Sequence, residues 1–141
     1  MRKIMSCGVL IVRGDPVEQF LIMEHKKRLD LPKGHVDSGE TELECALREL
    51  VEETAIDAQD IELVDGFRFE HRYFVRPKRF NKEKCEKTLV VFMARLVRDV
   101  NIVVTEHEGY RWVDWNPPHK IQEQTIDPLL EHAESFLRER T

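Results

Sequence analysis

Cysteine is scarce: Cys7, Cys45 and Cys85 are an odd number with no close pair. That count excludes a disulfide framework and a four-cysteine zinc site, and a reducing cytoplasm is the simplest home for the chain. Long apolar runs are missing as well. No stretch approaches the roughly 18 residues that a membrane-spanning helix needs. Met1-Arg2-Lys3-Ile4-Met5 carries the charge of a secretory leader, but the apolar run after it stops at Arg13 without a small-residue cleavage site. It reads as a first strand. An excess of positive charge is also lacking: the net charge is −5, so no general attraction to nucleic acid is expected. Repeats, low-complexity tracts and linkers are absent, which leaves one domain over residues 1–141.

What is present is a charge-rich composition, 41% apolar and 35% charged in 141 residues, laid out in short periodic segments. Ser6–Arg13 and Gln19–Glu24 are apolar runs around Gly14-Asp15-Pro16, the composition of a hairpin. A loop runs from Leu31-Pro32-Lys33-Gly34 through Ser38-Gly39. Thr41 with Glu44 makes a capping box, and the helix it starts near Glu42 places Leu43, Ala46, Leu47, Leu50, Val51 and Thr54 on one face. Ile61–Phe69 and Thr88–Leu96 are rich in strand formers, with Asn101–Val104 and Tyr110–Trp115 as shorter strand candidates. After Pro117-Pro118, Asp127 is the expected cap of a last helix, with Pro128 at its first position and Leu129, Leu130, Ala133, Phe136 and Leu137 inward. Strands, helix, strands, helix predicts a mixed sheet covered on both faces.

The charge is unevenly placed. Glu40–Glu53 holds six acids against one base, Arg48, whereas Arg72–Lys87 holds seven bases against two acids. At about 100° per residue, Glu49 and Glu53 point within roughly 40° of each other. Glu42 lies near that direction and Glu52 is turned further round. Like charges at this spacing repel. Either the face is simply solvated, with Arg48 and Glu52 paired four residues apart, or a hard divalent cation offsets the repulsion, for which carboxylate oxygens suit Mg²⁺ or Mn²⁺.

A longer pattern contains that helix. Gly34 is followed after five residues by Glu40, and after seven more by Arg48-Glu49-Leu50-Val51-Glu52-Glu53-Thr54-Ala55-Ile56. This resembles the signature of the Nudix hydrolases at every fixed position except Ala55, where that family has glycine. Glycine there is expected to end the helix with positive φ, and alanine in that conformation costs on the order of 1 kcal/mol. Cys7-Gly8-Val9-Leu10-Ile11, Leu31-Pro32-Lys33-Gly34-His35-Val36, Gly66-Phe67, Lys87-Thr88-Leu89-Val90 and Glu106-His107-Glu108-Gly109-Tyr110-Arg111-Trp112 are similar to segments of one branch, the asymmetrical diadenosine tetraphosphate hydrolases.

The resemblance implies an α/β/α sandwich and Mg²⁺-dependent hydrolysis of a nucleoside polyphosphate, with diadenosine tetraphosphate giving ATP and AMP. Mn²⁺ is a possible substitute. It implies Glu49 and Glu53 as leading metal ligands, Glu52 and Glu106 as further ones, and a contribution from the Lys33 backbone carbonyl. Arg48 and Glu40 would brace the loop and helix. His35 would support catalysis and, with Lys33 and Lys87, hold phosphates. Tyr73 would stack on adenine, although core packing explains it equally well. Each of these has a plainer alternative: a solvated turn for Glu106, an idle loop histidine for His35, a surface lysine for Lys87. The other cations of 72–87 read as a mobile steering surface, and Trp112 and Trp115 as core. Two further readings stay open. One is a relative acting on a diphosphoinositol, a capped RNA end or a nucleoside triphosphate. The other is a binding module without catalysis. The partner implied is a small nucleotide, with neither membrane nor general nucleic acid.

Overall fold

Strand β1 (Arg2–Arg13) is buried without interruption from Ser6 to Val12. A strand covered on both faces must lie at the centre of a sheet with a layer on each side. The computed structural model, which describes residues 1–105 and 107–140, shows this arrangement. β1 runs parallel to β7 (Cys85–Leu96) and antiparallel to β2 (Gln19–Glu24) and β4 (Lys33–His35). Short β3 (Leu29–Asp30) and β8 (Gly109–Asp114) pair with β2, while β5 (Ile61–Leu63) and β6 (Phe69–Val75) pair with β7. The result is one mixed eight-stranded sheet.

Alternation along the strands sorts the core into two seams. Cys7, Val9, Ile11, Leu21 and Met23 face helix α1 (Glu42–Thr54) and pack with its Cys45, Ala46 and Leu50. Leu10, Val12, Phe20 and Ile22 face helix α2 (Ile126–Glu139) and pack with its Ile126, Leu129, Leu130 and Ala133. Each fully buried Val, Leu, Ile, Phe or Met side chain among these contributes roughly 1.5–3 kcal/mol. The expected α/β/α sandwich is thus observed.

Thr41 caps α1 through the expected box: its hydroxyl accepts from the Glu44 N–H, and the Glu44 carboxylate accepts from the Thr41 N–H. Several boundaries differ from expectation. Val51 is 45% exposed, and Cys45 takes an inward position in its place. The Ile61–Phe69 run is not one strand. Asp65-Gly66 turns the chain, with Gly66 at φ 81°, so that β5 ends at Leu63 and β6 begins at Phe69. Asn101–Val104 forms no strand; Val100, Ile102 and Val104 instead pack their side chains on the α1 seam.

Asp127 does not cap α2, because its carboxylate accepts from the N–H groups of Ile121 and Gln122 in the preceding loop. Thr125 is the capping residue, and the Gln122 side-chain oxygen accepts from the N–H groups of Thr125 and Ile126. Residues 72–87 span facing arms and the turn of the β6–β7 hairpin; Arg72, Arg76, Lys78, Arg79, Lys82 and Lys84 are exposed along it, as a steering surface requires, and the Lys84 ammonium lies 4.5 Å from the Phe74 ring centre. Trp112 and Trp115 pack against the two seams as expected.

Ala55 ends α1 in the left-handed region at φ 67°, the conformation a glycine would supply freely. Ala55→Gly should therefore raise stability by about 0.5–1 kcal/mol, a melting shift of roughly 2–4 °C. An unchanged or lower melting temperature in calorimetry would show that the cap is unstrained.

Candidate active site

β4 has three residues, and all three reach the same cleft. Lys33, Gly34 and His35 line a hollow of about 360 Å³ that also takes in Glu49 and Glu53 from α1 and Lys87 from β7. The lining is completed by His25, Arg28 and Asp30 around β3, and by His107 from the loop before β8, which lies against the helix at Glu53.

The helix wall is anionic and tightly held. Arg48 donates to Glu40 at 2.5 Å, to Glu49 at 3.0 Å, to Glu52 at 3.1 Å and to the carbonyl of His35 at 3.0 Å. The hydrogen bond from Arg48, with a second from the Asp37 N–H, keeps the Glu40 carboxyl below its usual range. This is the bracing expected of Arg48 and Glu40. Glu49 lies directly over Gly34. A Cβ added at that glycine would fall 2.1 Å from the Glu49 carboxyl carbon, so any larger residue would displace this carboxylate from its position. The Glu53 side chain is 3% exposed; it accepts from the Lys33 N–H at 2.6 Å and lies 3.3 Å from His107 Nδ1.

The opposite wall is cationic. Lys33 Nζ is 3.5 Å from buried Asp30, and Arg28 is 3.8 Å from the same carboxylate. Lys87 is pulled down to about 8, chiefly because burial strips water from its ammonium, with Lys33 adding repulsion. His35 is pulled down to about 4 by desolvation and by the charges of Arg79, Lys87 and Lys33. At neutral pH its imidazole is uncharged and offers one donor and one acceptor.

The structure therefore brings Lys33, His35, Glu49, Glu53 and Lys87 together. Glu52 and Tyr73 are not among the residues lining the hollow, although Tyr73 stands at its margin, paired across the strands with Lys87, whose ammonium lies 6.0 Å from its ring centre. Glu52 is 52% exposed and paired with Arg48. Tyr73 is half-buried against the α2 seam, its ring 5.7 Å from His71 and its hydroxyl pushed up to about 12 by burial. Glu106 lies outside the described residues. The sequence reading missed Ser6, His25, Arg28, Asp30, Asp37 and His107 in the lining. His107 had a signal, since it follows Glu106 in the family-like segment Glu106–Trp112. The others are scattered over strands and loops that only the fold makes adjacent.

The donor set fits a hard divalent cation. Glu49 and Glu53 supply carboxylate oxygens one turn apart on one wall of an open cleft. Among the described residues no ready cage of three or more acidic, histidine or cysteine side chains stands in place. Mg²⁺ does not require one, because it commonly takes one or two carboxylates and completes its shell with waters and substrate phosphates.

Comparison with known proteins bears on the family and the fold. The family model described as NUDIX domain matches residues 3–133. A bis(5'-nucleosyl)-tetraphosphatase [asymmetrical] of Mus musculus is 35% identical, over 94% of both chains. The structure of a C. elegans Ap4A hydrolase binary complex superposes with a TM-score of 0.80 at 23% identity, covering 96% of this chain and 98% of that one. The E. coli dihydroneopterin triphosphate pyrophosphohydrolase gives 0.73 at 26% identity, covering 91% and 92%.

Lys87 yields a prediction whose sign can be worked out. Its folded value near 8 lies below the ordinary lysine value of 10.5. Between those two values the unfolded chain binds more protons, so stability rises with pH across that window. Below pH 8 the folded protein carries the whole burden of a desolvated ammonium. Lys87→Met should therefore melt above the wild type at pH 7, and the gap should narrow as pH rises through 8 towards 10. A gap independent of pH would refute the assignment.

Proposed function

This chain belongs to the NUDIX family, and we propose that, as a Nudix hydrolase, it cleaves a dinucleoside polyphosphate, taking diadenosine tetraphosphate to ATP and AMP. The observation that carries the reading is the mixed charge of the cleft: paired carboxylates on α1 and the cations Lys33, Lys87 and Arg28 line one hollow of about 360 Å³. The whole-length similarity to an asymmetrical tetraphosphatase supports the choice of substrate.

A tetraphosphate bridge carries about four negative charges, and its hydrolysis needs positioning, charge neutralisation and an aligned water. Lys33 and Lys87 supply two point charges from β4 and β7, the strands that flank β1, the first anchored by Asp30. Neutral His35 donates to a phosphate oxygen without adding charge. Glu49 and Glu53 are the proposed ligands for Mg²⁺, with Mn²⁺ as a substitute and Glu52 and Glu106 as outer candidates. When bound, the cation would draw charge from the bridge oxygens and lower the pKa of a water. His107, 3.3 Å from Glu53, orients that carboxylate from the loop side. Glu106, next to His107 in sequence, is kept as a candidate base for the attacking water.

The cleft wall contains no phenyl, phenol or indole ring among the described residues. Phosphates are therefore the groups it reads most directly, and bases are left to the rim, where Tyr73 remains a candidate platform. This feature favours a second reading, that another polyphosphate ester such as a diphosphoinositol, a capped RNA end or a nucleoside triphosphate is the preferred substrate. Among the described residues no helix is long and apolar enough to cross a membrane. Three free, buried cysteines suit the reducing cytoplasm in which a nucleotide substrate is found.

Incubation of diadenosine tetraphosphate with the protein and Mg²⁺ should give equal amounts of ATP and AMP by ion-exchange chromatography. Two ADP, or no turnover, counts against the assignment, and a panel of the other substrates then decides between the second reading and a binding module. Glu53→Gln should lower kcat by orders of magnitude while circular dichroism shows an intact fold. A mild effect would remove Glu53 from the ligand set.

A further inference from the structure

Ser6 sits on β1 in the middle of this cleft, and its hydroxyl has nothing to do in the fold. The residue is 1% exposed, and among the described residues its Oγ has no hydrogen-bond partner. A buried hydroxyl without a partner costs stability, so packing alone favours an apolar side chain here. Leu10 and Val12, further along the same face of β1, follow that rule. Ser6 departs from it where the strand lines the cleft.

The sheet register defines its surroundings. On β1, residues two apart share a face. Ile4 stands opposite Lys87, Ser6 opposite both His35 and Leu89, and Gly8 opposite Lys33. The hydroxyl therefore lies on the cleft floor between the strand positions of two lysines, beside a neutral imidazole. Asp30 offsets only part of the charge of Lys33, Lys87 and Arg28, so the floor favours a further anion, and a hydroxyl hydrogen is the complementary donor for an anionic oxygen.

We propose that Ser6 is a binding residue of the substrate, its hydroxyl donating to a non-bridging phosphoryl oxygen seated between Lys33 and Lys87. The inference rests on the cleft being a polyphosphate site, and it adds a neutral donor at the floor to the charges of the walls. Folding and binding then make opposite demands on one atom: Oγ is a cost in the free protein and an asset in the complex.

That opposition gives the test. Imidodiphosphate, a pyrophosphate mimic that resists hydrolysis, is titrated by calorimetry into wild type, Ser6→Ala and Ser6→Thr in the presence of Mg²⁺, and each free protein is melted. Ser6→Ala removes one atom and should bind about tenfold or more weakly, as expected for a lost hydrogen bond to a charged acceptor. Its melting temperature should equal or exceed that of wild type. Ser6→Thr retains the donor and should recover most of the affinity. Equal affinity for wild type and Ser6→Ala overturns the assignment of Ser6 alone, as does a Ser6→Ala protein that loses thermal stability in step with affinity. A wild-type protein that leaves imidodiphosphate unbound overturns the polyphosphate reading and this inference with it.

Discussion

One guanidinium makes the acidic helix tenable. Glu49, Glu52 and Glu53 crowd the last turns of α1, and Glu40 and Asp37 approach from the loop before it. Left alone, these carboxylates would repel one another and open the junction between loop and helix. Arg48 meets four of them, Asp37 at 3.4 Å and Glu40, Glu49 and Glu52 at 3.1 Å or less, and also holds the His35 carbonyl. The hydrogen bonds it donates, that to Glu40 above all, hold its own pKa above even the usual arginine range. Because the same side chain grips helix and strand, α1 and β4 behave as one body. Glu53 is the acid that Arg48 does not reach in this set; the Lys33 backbone and His107 hold it instead, which places it deeper in the cleft.

β4 illustrates how little chain a site requires when the register is fixed. Its alternation sends Gly34 towards α1 and Lys33 and His35 towards the opposite face. Gly34 thus opens space for a carboxylate while its neighbours supply cationic and neutral donors for a phosphate. A slip of one residue would exchange these roles and drive a lysine into Glu49. Burial on both faces of β1 specifies the register strongly, so the arrangement of charge in the cleft is a consequence of the apolar core.

Much of this was legible in the residues. The capping box and gapless periodicity of 42–54 located α1, and the spacing of Glu49 and Glu53 put both acids on one face. What failed had identifiable physical causes. Asp65-Gly66 hides a turn inside an apolar run, because a single positive φ outweighs the β propensity around it. Charge concealed the arms of the β6–β7 hairpin, since an edge tolerates lysine and arginine on its outer face. Asp127 looked like a cap, but its nearest unsatisfied donors lay in the loop behind it. The cleft's cationic wall was only partly visible. Lys33, His35 and Lys87 fell within the family-like segments, whereas Ser6, Arg28 and Asp30 become neighbours only through strand pairing.

The end of α1 explains how a loop some fifty residues away is aimed at the helix. A helix leaves its last carbonyls without internal partners. Here the Val103 N–H donates to the Thr54 carbonyl at 2.9 Å, and the Thr105 hydroxyl donates to the Glu52 carbonyl at 2.7 Å. The left-handed turn at Ala55 leads the chain away and leaves those carbonyls open to the loop. Stapled there, the segment brings His107 against Glu53 at 3.3 Å. The residue identity at 55 therefore matters less than its conformation. Glycine would reach the same geometry with less strain, but alanine in that geometry leaves the staple, and the histidine it positions, intact.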